Sequence, residues 1–241
     1  MLFSSIADNK NPKSLASSFR SKRLNLFKGF VAGLPKPVKI LDIGGTPEFW
    51  KNAGLDAADV EITLLNLALV ETDLPNAISM AGDATDLSAF ADKSFDISFS
   101  NSVIEHLFSF QNQQKMAQEA RRVSTYHFIQ TPNFWFPIEP HWVFPCFQYL
   151  PKTIRIFLTC YFNLGHLKRA GSWSAARQQV EEIQLLSHSE MVKLFPESKI
   201  WEEKLLVFSK SFVAHNFNGL LPNNTHPLAS MPFFCILQRR K

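Results

Sequence analysis

Short apolar runs alternate with amphipathic stretches along most of the chain. β-rich runs predict strands, and apolar residues recurring every three or four positions predict helices. The predicted strands are 38–43, 60–67, 76–84, 94–101, 126–131 and an antiparallel pair within 200–216; the predicted helices are 14–32, 47–53, 113–123, 152–164, 175–186 and 189–194. This strand–helix–strand order predicts an α/β protein with a Rossmann-like, doubly wound and mostly parallel sheet.

The alternation stops after Pro132. Residues 132–151, "PNFWFPIEPHWVFPCFQYLP", are rich in proline and aromatic residues. Prolines at this density exclude a regular helix or an internal strand, so the segment is predicted to be an ordered loop or lid. The predicted parts of this single structural domain are a basic N-terminal helical arm (1–36), a Rossmann-like core (37–135), a Pro/aromatic-rich helical cap or lid (136–198), and closing strands with a C-terminal tail (199–241).

Composition and charge narrow the class of protein. Apolar residues make up 46% of the 241 residues and charged residues 19%, which is typical of a globular protein. Residues 1–40 contain eight Lys or Arg and one Asp. Such an arm can contact nucleic acid or anionic lipid, but a solvated helix is favoured because no aromatic residues interleave with the charges. Three scattered cysteines and the absence of an apolar leader or span favour a reducing cytoplasm.

Polar residues follow four predicted strands at the point where each strand ends. Ligands of open α/β sheets bind at this edge. Glycines allow a tight turn there, and free N–H groups at a helix start favour an anion. The exit residues are Asp42 with Gly44, Gly45 and Thr46; Asn66; Asp83 with Asp86; and Asn101 with Ser102. Each exit alone has a simpler explanation as a turn, but together they predict a nucleoside-type ligand.

Five segments in order resemble the motifs of a known family. The segments "ILDIGGTPEFW", "ITLLNL", "GDATDL", "SFDISFSNSVIEHL" and "FIQTPNFWFPIEPH" resemble those of class I S-adenosylmethionine-dependent methyltransferases, in the type-11-like branch. The resemblance covers about Lys39 to His141 strongly. It implies a seven-stranded sheet with an antiparallel last strand, S-adenosylmethionine as cofactor, and methyl transfer as the reaction.

The resemblance also implies which residues hold the cofactor. Asp42 and the adjoining glycine turn would hold its amino-acid part, Asn66 the ribose, and Asp83 the adenine. The implied cofactor-binding residues are Asp42, Gly44, Gly45, Thr46, Asn66, Leu67, Asp83, Ala84, Asn101 and Ser102. The chain departs from the family where Thr46 and Glu48 replace glycines and Asn66 replaces an acid. An amide can hydrogen-bond two hydroxyls but lacks the charge assistance of a carboxylate. Weaker cofactor binding and loss of binding are therefore the two alternatives to the family's usual affinity.

Two histidines are the candidate catalytic residues. A general base is needed only when the acceptor must lose a proton. His106 directly follows the fourth strand, and a role as base is weighed equally with a packing or capping role. His141 lies in the aromatic segment, where a structural role is favoured. Some quinone-methylating relatives hold a metal with a Glu-His pair that Glu105 and His106 match, but Ser102 stands where a further carboxylate would help, so no metal is predicted.

The predicted activity is methyl transfer to a small-molecule or lipid-linked acceptor. The aromatic segment can line an acceptor pocket or touch a membrane surface, although most of its residues are expected in the core. Replacing Trp135 or Trp142 by Ala is expected to change acceptor affinity alone. One alternative is an inactive, methyltransferase-like scaffold that binds partners. RNA methylation is a further alternative suggested by the basic arm and the pI of about 9.0. Against it, the chain lacks the Asn-Pro-Pro-aromatic motif of many base-modifying relatives.

Overall fold

The computed structural model describes residues 15–55, 57–165 and 167–217. Residues 1–14 of the predicted basic arm and the predicted tail after residue 217 lie outside this range. The described strands are β1 (Val38–Ile43), β2 (Val60–Asn66), β3 (Ala77–Ala81), β4 (Phe95–Asn101), β5 (Ser124–Pro132), β6 (Ile138–Glu139), β7 (Phe144–Pro145), β8 (Lys199–Leu205) and β9 (Phe208–His215). The described α-helices are α1 (Leu15–Ala32), α2 (Pro47–Ala53), α3 (Phe110–Val123), α4 (Lys152–Tyr161), α5 (Trp173–Glu182) and α6 (His188–Leu194).

One seven-stranded sheet organises the molecule, in the order β3–β2–β1–β4–β5–β9–β8. Strands β1 to β5 pair in parallel, and β9 is antiparallel to both of its neighbours, β5 and β8. This arrangement confirms the predicted Rossmann-like sheet with an antiparallel last strand. Because β1 and β4 are central and parallel, their carboxyl ends meet at one edge, where ligands bind in such sheets.

Both faces of the sheet are covered, which explains why β1 is an almost continuous apolar run. Ile40 packs on one face with Phe27 and Phe30 of α1, whereas Leu41 packs on the other face with Met116 of α3. Successive side chains of a strand point to opposite faces, so one short strand contributes to two cores.

The described part of the basic arm belongs to the core, which differs from the predicted solvated helix. Phe27, Phe30 and Val31 of α1 are fully buried. The guanidinium of Arg23 approaches the buried carboxylate of Glu203 in β8 at 3.9 Å. Apolar residues at helical spacing in the second half of α1 account for this packing, because together they form a face that the sheet can bury.

The lid, residues 136–198, contains a core of its own between α4, α5 and the small β6–β7 pair. Trp142 is buried, stacks on Phe147 with 4.4 Å between ring centroids, and donates its indole N–H to Thr159 Oγ1 at 2.9 Å. Ile156 and Val180 complete this core from the two helices. Trp142 and Phe147 therefore stabilise the lid, as expected for most of this aromatic segment.

Among the described residues, no helix combines the length and the hydropathy needed to cross a membrane. The predicted cytoplasmic location stays a prediction.

Candidate active site

The turn after β1 depends on two glycines for different reasons. Gly44 has a φ of 76°, a conformation that residues with a side chain rarely adopt. At Gly45 a Cβ atom would lie 1.7 Å from the Asp42 carboxylate oxygen Oδ2. The backbone at position 45 therefore lies so close to the Asp42 carboxylate that only glycine fits there. Thr46 follows as the N-cap of α2, but its side chain makes no capping hydrogen bond within the described residues.

Asp42 is a buried carboxyl group held by an aromatic donor. It is 1% exposed, and the indole Nε1 of Trp50 donates to its Oδ2 at 2.6 Å. Burial raises the pKa of Asp42 to about 7, although the Trp50 hydrogen bond acts in the opposite direction. A carboxyl group with this pKa changes its charge near neutral pH, which is uncommon outside functional sites.

A cleft of about 730 Å³ lies against this turn. Asp42, Gly44, Gly45 and Thr46 line it from β1 and α2, and Asn101 lines it from the end of β4. Five of the predicted cofactor-binding residues therefore come together around one open space. A cleft with both polar and apolar lining residues, at the carboxyl edge of a doubly wound sheet, is the expected place for a ligand.

Helix α1 forms the opposite side of the cleft, which the sequence motifs did not indicate. Ser17, Arg20, Ser21 and Leu24 of α1 line the same space. Their spacing of three, four and seven residues places them on one helical face. In the sequence, this spacing shows only that the four residues share one face of a helix. It does not show that the face covers a cleft.

The other half of the predicted site lies along the same sheet edge, outside the lining of this cleft. Asn66 ends β2 and donates from Nδ2 to the Gly45 carbonyl at 3.0 Å, so its amide supports the glycine turn. Asp83 follows β3, is exposed, and accepts hydrogen bonds from the backbone and hydroxyl of Thr85. Ala84 adjoins Asp83, and Leu67 is 85% exposed.

Ser102, directly after Asn101, is held away from this region by a contact with the neighbouring strand. Its φ is 60°, and its hydroxyl donates to Gln130 Oε1 of β5 at 2.9 Å. The cofactor roles of Asn66, Leu67, Asp83, Ala84 and Ser102 stay predictions.

The two candidate catalytic histidines meet at this edge. The Nε2 atoms of His106 and His141 are 3.2 Å apart. On the outer side of each ring, Nδ1 of His141 lies 2.6 Å from Glu139 Oε1, and Nδ1 of His106 lies 3.0 Å from Glu182 Oε1. Glu182 was missed in the sequence because it belongs to α5, far along the chain from either histidine.

Electrostatics differ between the groups of this cluster. Burial lowers the pKa of His141, but the hydrogen bond and charge of Glu139 outweigh burial, so the pKa is raised above the ordinary value. Burial raises the pKa of Glu105, although His141 and His106 act in the opposite direction. By contrast, burial lowers the pKa of His127 to about 3, which fits a structural histidine that is neutral at pH 7.

The sheet order, the glycine turn after β1 and the cleft beside it define a class I methyltransferase fold. Residues 43–125 match the family model described as a methyltransferase domain (type 11). This match agrees with the resemblance found in the motifs: residues 43–125 are similar to a methyltransferase domain, and that family implies S-adenosylmethionine as the cofactor. The cleft beside this turn, lined by Asp42 and Asn101, fits such a ligand.

One solved structure shares this fold at low sequence identity, and two others are less similar. An O-methyltransferase family protein from Burkholderia thailandensis aligns with a TM-score of 0.51 and 10% identity, covering 83% of this chain and 57% of that one. A methyltransferase assigned to an antibiotic biosynthesis pathway of Anabaena variabilis aligns with a TM-score of 0.47 and 17% identity, covering 76% and 64%. A SAM-dependent methyltransferase from Methanosarcina mazei aligns with a TM-score of 0.45 and 14% identity, covering 76% and 93%.

The chain thus spans less than two thirds of the Burkholderia and Anabaena proteins. No curated protein matches the sequence.

Proposed function

We propose that this protein transfers a methyl group from S-adenosylmethionine to an apolar small-molecule or lipid-linked acceptor. The observation that carries the proposal is the cleft of about 730 Å³ between α1 and the turn after β1. Asp42 and Asn101 lie on two adjacent central strands, and both line this cleft. Its position at the carboxyl edge of the sheet is the one that nucleotide-like ligands occupy in doubly wound folds.

Each residue of the cleft has a distinct proposed role. When bound, S-adenosylmethionine supplies a methyl group already activated by a sulfonium. Asp42 would hold the amino group of the cofactor through its carboxylate, and the Gly44–Gly45 backbone would admit the amino-acid part close to the chain. Asn101 would orient the methionyl end from the exit of β4. Orientation in a water-poor site can supply much of the rate acceleration of a displacement at carbon.

The lid indicates the class of acceptor. Its outer surface exposes large apolar side chains, among them Ile154 (45%), Phe157 (48%) and Tyr161 (58%) of α4. Exposed apolar residues in this number are uncommon on a surface that faces only water.

Basic residues lie beside this apolar surface. Lys168 and Arg169 are exposed, and the adjoining Ala170 donates its backbone N–H to Thr159 of α4 at 3.0 Å. Aromatic and basic side chains together are the composition of segments that lie on anionic membranes. The lid is therefore proposed to rest on an anionic lipid surface and to receive a lipid-linked acceptor there.

Calorimetry tests the cofactor part of the proposal. The full-length chain is expected to bind S-adenosylmethionine and its demethylated product, S-adenosylhomocysteine. Asn101→Ala should weaken both by about fivefold, since one hydrogen bond is worth roughly 1 kcal/mol. Asn163→Ala is the matched control, because Asn163 is exposed on the lid and bonds only its neighbouring loop at Arg169. Absence of binding by the unmodified chain would favour the alternative of an inactive scaffold that binds partners.

Vesicle sedimentation tests the acceptor part. The chain is expected to bind vesicles containing phosphatidylglycerol and to bind pure phosphatidylcholine vesicles weakly. The double substitution Phe157→Ser and Tyr161→Ser should reduce binding about tenfold or more, because each ring contributes more than 1 kcal/mol of apolar transfer. Val192→Ser, on α6 and 41% exposed, is the control. Equal binding to both vesicle types would contradict a role for the basic residues, and binding unaffected by the double substitution would contradict a role for α4.

RNA methylation receives less support from the described residues. The predicted basic arm was its main basis, and the described half of that arm packs on the sheet through Phe27 and Phe30.

A further inference from the structure

The imidazole rings of His106 and His141 face each other through their Nε2 atoms. His106 lies in the 3-10 turn after β4 (Ile104–His106), and His141 lies in the loop between β6 and β7. Their Nε2 atoms are 3.2 Å apart, and their ring planes are nearly perpendicular at 84°. Nε2 of one ring must therefore share a proton or a cation with Nε2 of the other.

The outer nitrogens determine the tautomer of each ring. Nδ1 of His141 donates to Glu139, and Nδ1 of His106 donates to Glu182. A carboxylate on Nδ1 holds the proton there and leaves Nε2 as a lone pair. Two Nε2 lone pairs at 3.2 Å repel each other unless a cation lies between them. Nitrogens bound to one Zn²⁺ at about 2.1 Å are roughly 3.4 Å apart at the tetrahedral angle, close to the observed separation.

A third group completes the donor set. Glu105 is fully buried, and its Oε2 accepts from the Thr131 hydroxyl at 3.0 Å. Its Oε1 has no hydrogen-bond partner among the described residues. One ligand atom each from Glu105, His106 and His141 lies within 4.8 Å of the others. A buried carboxylate oxygen without a donor is unfavourable, and a cation removes that penalty.

We propose that Glu105, His106 and His141 bind a divalent transition-metal ion of the Zn²⁺ class, with Glu139 and Glu182 orienting the two imidazoles. Two imidazoles and one carboxylate are a ligand set used for Zn²⁺ with a further position open to an oxygen ligand. In this arrangement both rings are ligands and not bases. The ion joins the end of β4 to the lid loop, while the outer carboxylates come from β6 and α5. The sequence did not predict a metal because its third protein ligand lies 35 residues beyond His106.

Metal titration tests this inference without any assay of methyl transfer. Full-length protein stripped with a chelator is expected to take up one equivalent of Zn²⁺ in competition with a chromophoric chelator. His141→Ala should weaken this uptake about 100-fold or more. Glu139→Gln should weaken it about 10- to 100-fold, the usual effect of removing a group that orients a ligand. His188→Ala is the matched control, because His188 is an exposed histidine on α6 away from the cluster.

A second measurement uses the unmodified chain, so it does not depend on how the variants fold. Co²⁺ added to the stripped protein should give the intense visible absorption of a four- or five-coordinate site. That absorption should disappear when Zn²⁺ is added. Lack of stoichiometric Zn²⁺ uptake by the unmodified protein overturns the inference in favour of a shared proton. Undiminished uptake by the folded double variant His106→Ala and His141→Ala also overturns it, since the metal then binds elsewhere.

Discussion

The turn after β1 and the histidine cluster at the lid lie on the same sheet edge but are built in opposite ways. In the turn, Asp42 meets Gly45 three residues away and Trp50 eight residues away. In the cluster, His106 meets His141 across 35 residues and Glu182 across 76. The first site is therefore almost complete within one strand and one helix. The second exists only when the lid is docked on the core.

This difference predicts that the two sites can be disrupted separately. A substitution in the core of the lid should abolish the cluster and leave the cofactor cleft intact. A substitution in the turn should do the reverse.

The largest effect is expected from Trp142→Ala. Trp142 is buried, stacks on Phe147 and donates to Thr159, so its removal should destabilise the lid by about 4 kcal/mol. Hydrogen exchange should show opening of α4 and α5, while calorimetry shows little change in S-adenosylmethionine affinity. The matched control is Trp135→Ala, since Trp135 is 63% exposed and should change stability by less than about 0.5 kcal/mol.

The substitutions of Trp135 and Trp142 differ in whether they can measure acceptor affinity. Because Trp142 belongs to the lid core, only Trp135→Ala is a clean test of acceptor affinity. Parallel loss of cofactor affinity in Trp142→Ala would show that the lid and the turn form one cooperative unit.

Gly45→Ala should have the next largest effect. The new methyl group would overlap the Asp42 carboxylate, which the Trp50 indole holds in place, so a loss of about 3 kcal/mol and of cofactor binding is expected. Gly171→Ala is the control in the lid. At Gly171 the φ is 71° but nothing lies within 4 Å of a new Cβ, so only the backbone strain of about 1–2 kcal/mol applies. Thermal unfolding of both variants measures this difference, and similar losses would contradict the close contact at Gly45.

Asp42→Asn should have a smaller effect, and one that depends on pH. The folded chain holds the Asp42 proton up to about pH 7, whereas the unfolded chain releases it near its ordinary value. The unfolded state therefore binds fewer protons between these two values, and stability falls as the pH rises through that window. Asp42→Asn should remove this fall and be more stable than the unmodified chain at pH 8 by up to about 4 kcal/mol.

Cofactor binding should change in the opposite direction. A bound ammonium favours the ionised carboxylate, so affinity for S-adenosylmethionine should rise with pH through about 7 in the unmodified chain and not in Asp42→Asn. Urea unfolding and calorimetry across this pH range measure the two effects. A variant with the same pH dependence as the unmodified chain would show that Asp42 is not the titrating group.

Local patterns predicted the strands of the sheet closely. The predicted β1 matches the described Val38–Ile43, and the predicted 94–101 differs from β4 by one residue. These strands are short apolar runs bounded by polar or glycine residues, so their signal is contained within the segment itself. The end of α2 is marked locally as well, because Gly54 follows the helix and has the left-handed conformation of a C-cap.

The cleft was only partly predictable. Asp42 and the glycines after it are adjacent in the chain, so one motif contains them. The contribution of α1 through Ser17 and Arg20 was missed. The periodicity of the sequence shows that one side of the helix is polar but not what that side faces. Asn66 and Asp83 lie along the same edge but outside the cleft lining, so their cofactor roles stay predictions.

The amino-acid sequence by itself determined the alternation of strands and helices, the glycine turn that Asp42 requires, and the family to which residues 43–125 are similar. Each of these rests on residues within a few positions of one another. Only the tertiary structure decided that His106, His141 and Glu182 meet, that Trp142 is buried while Trp135 is exposed, and that α1 covers the cleft. The physical reason is that periodicity specifies which face of an element is buried, whereas the partner of that face depends on the packing of elements far apart in the chain.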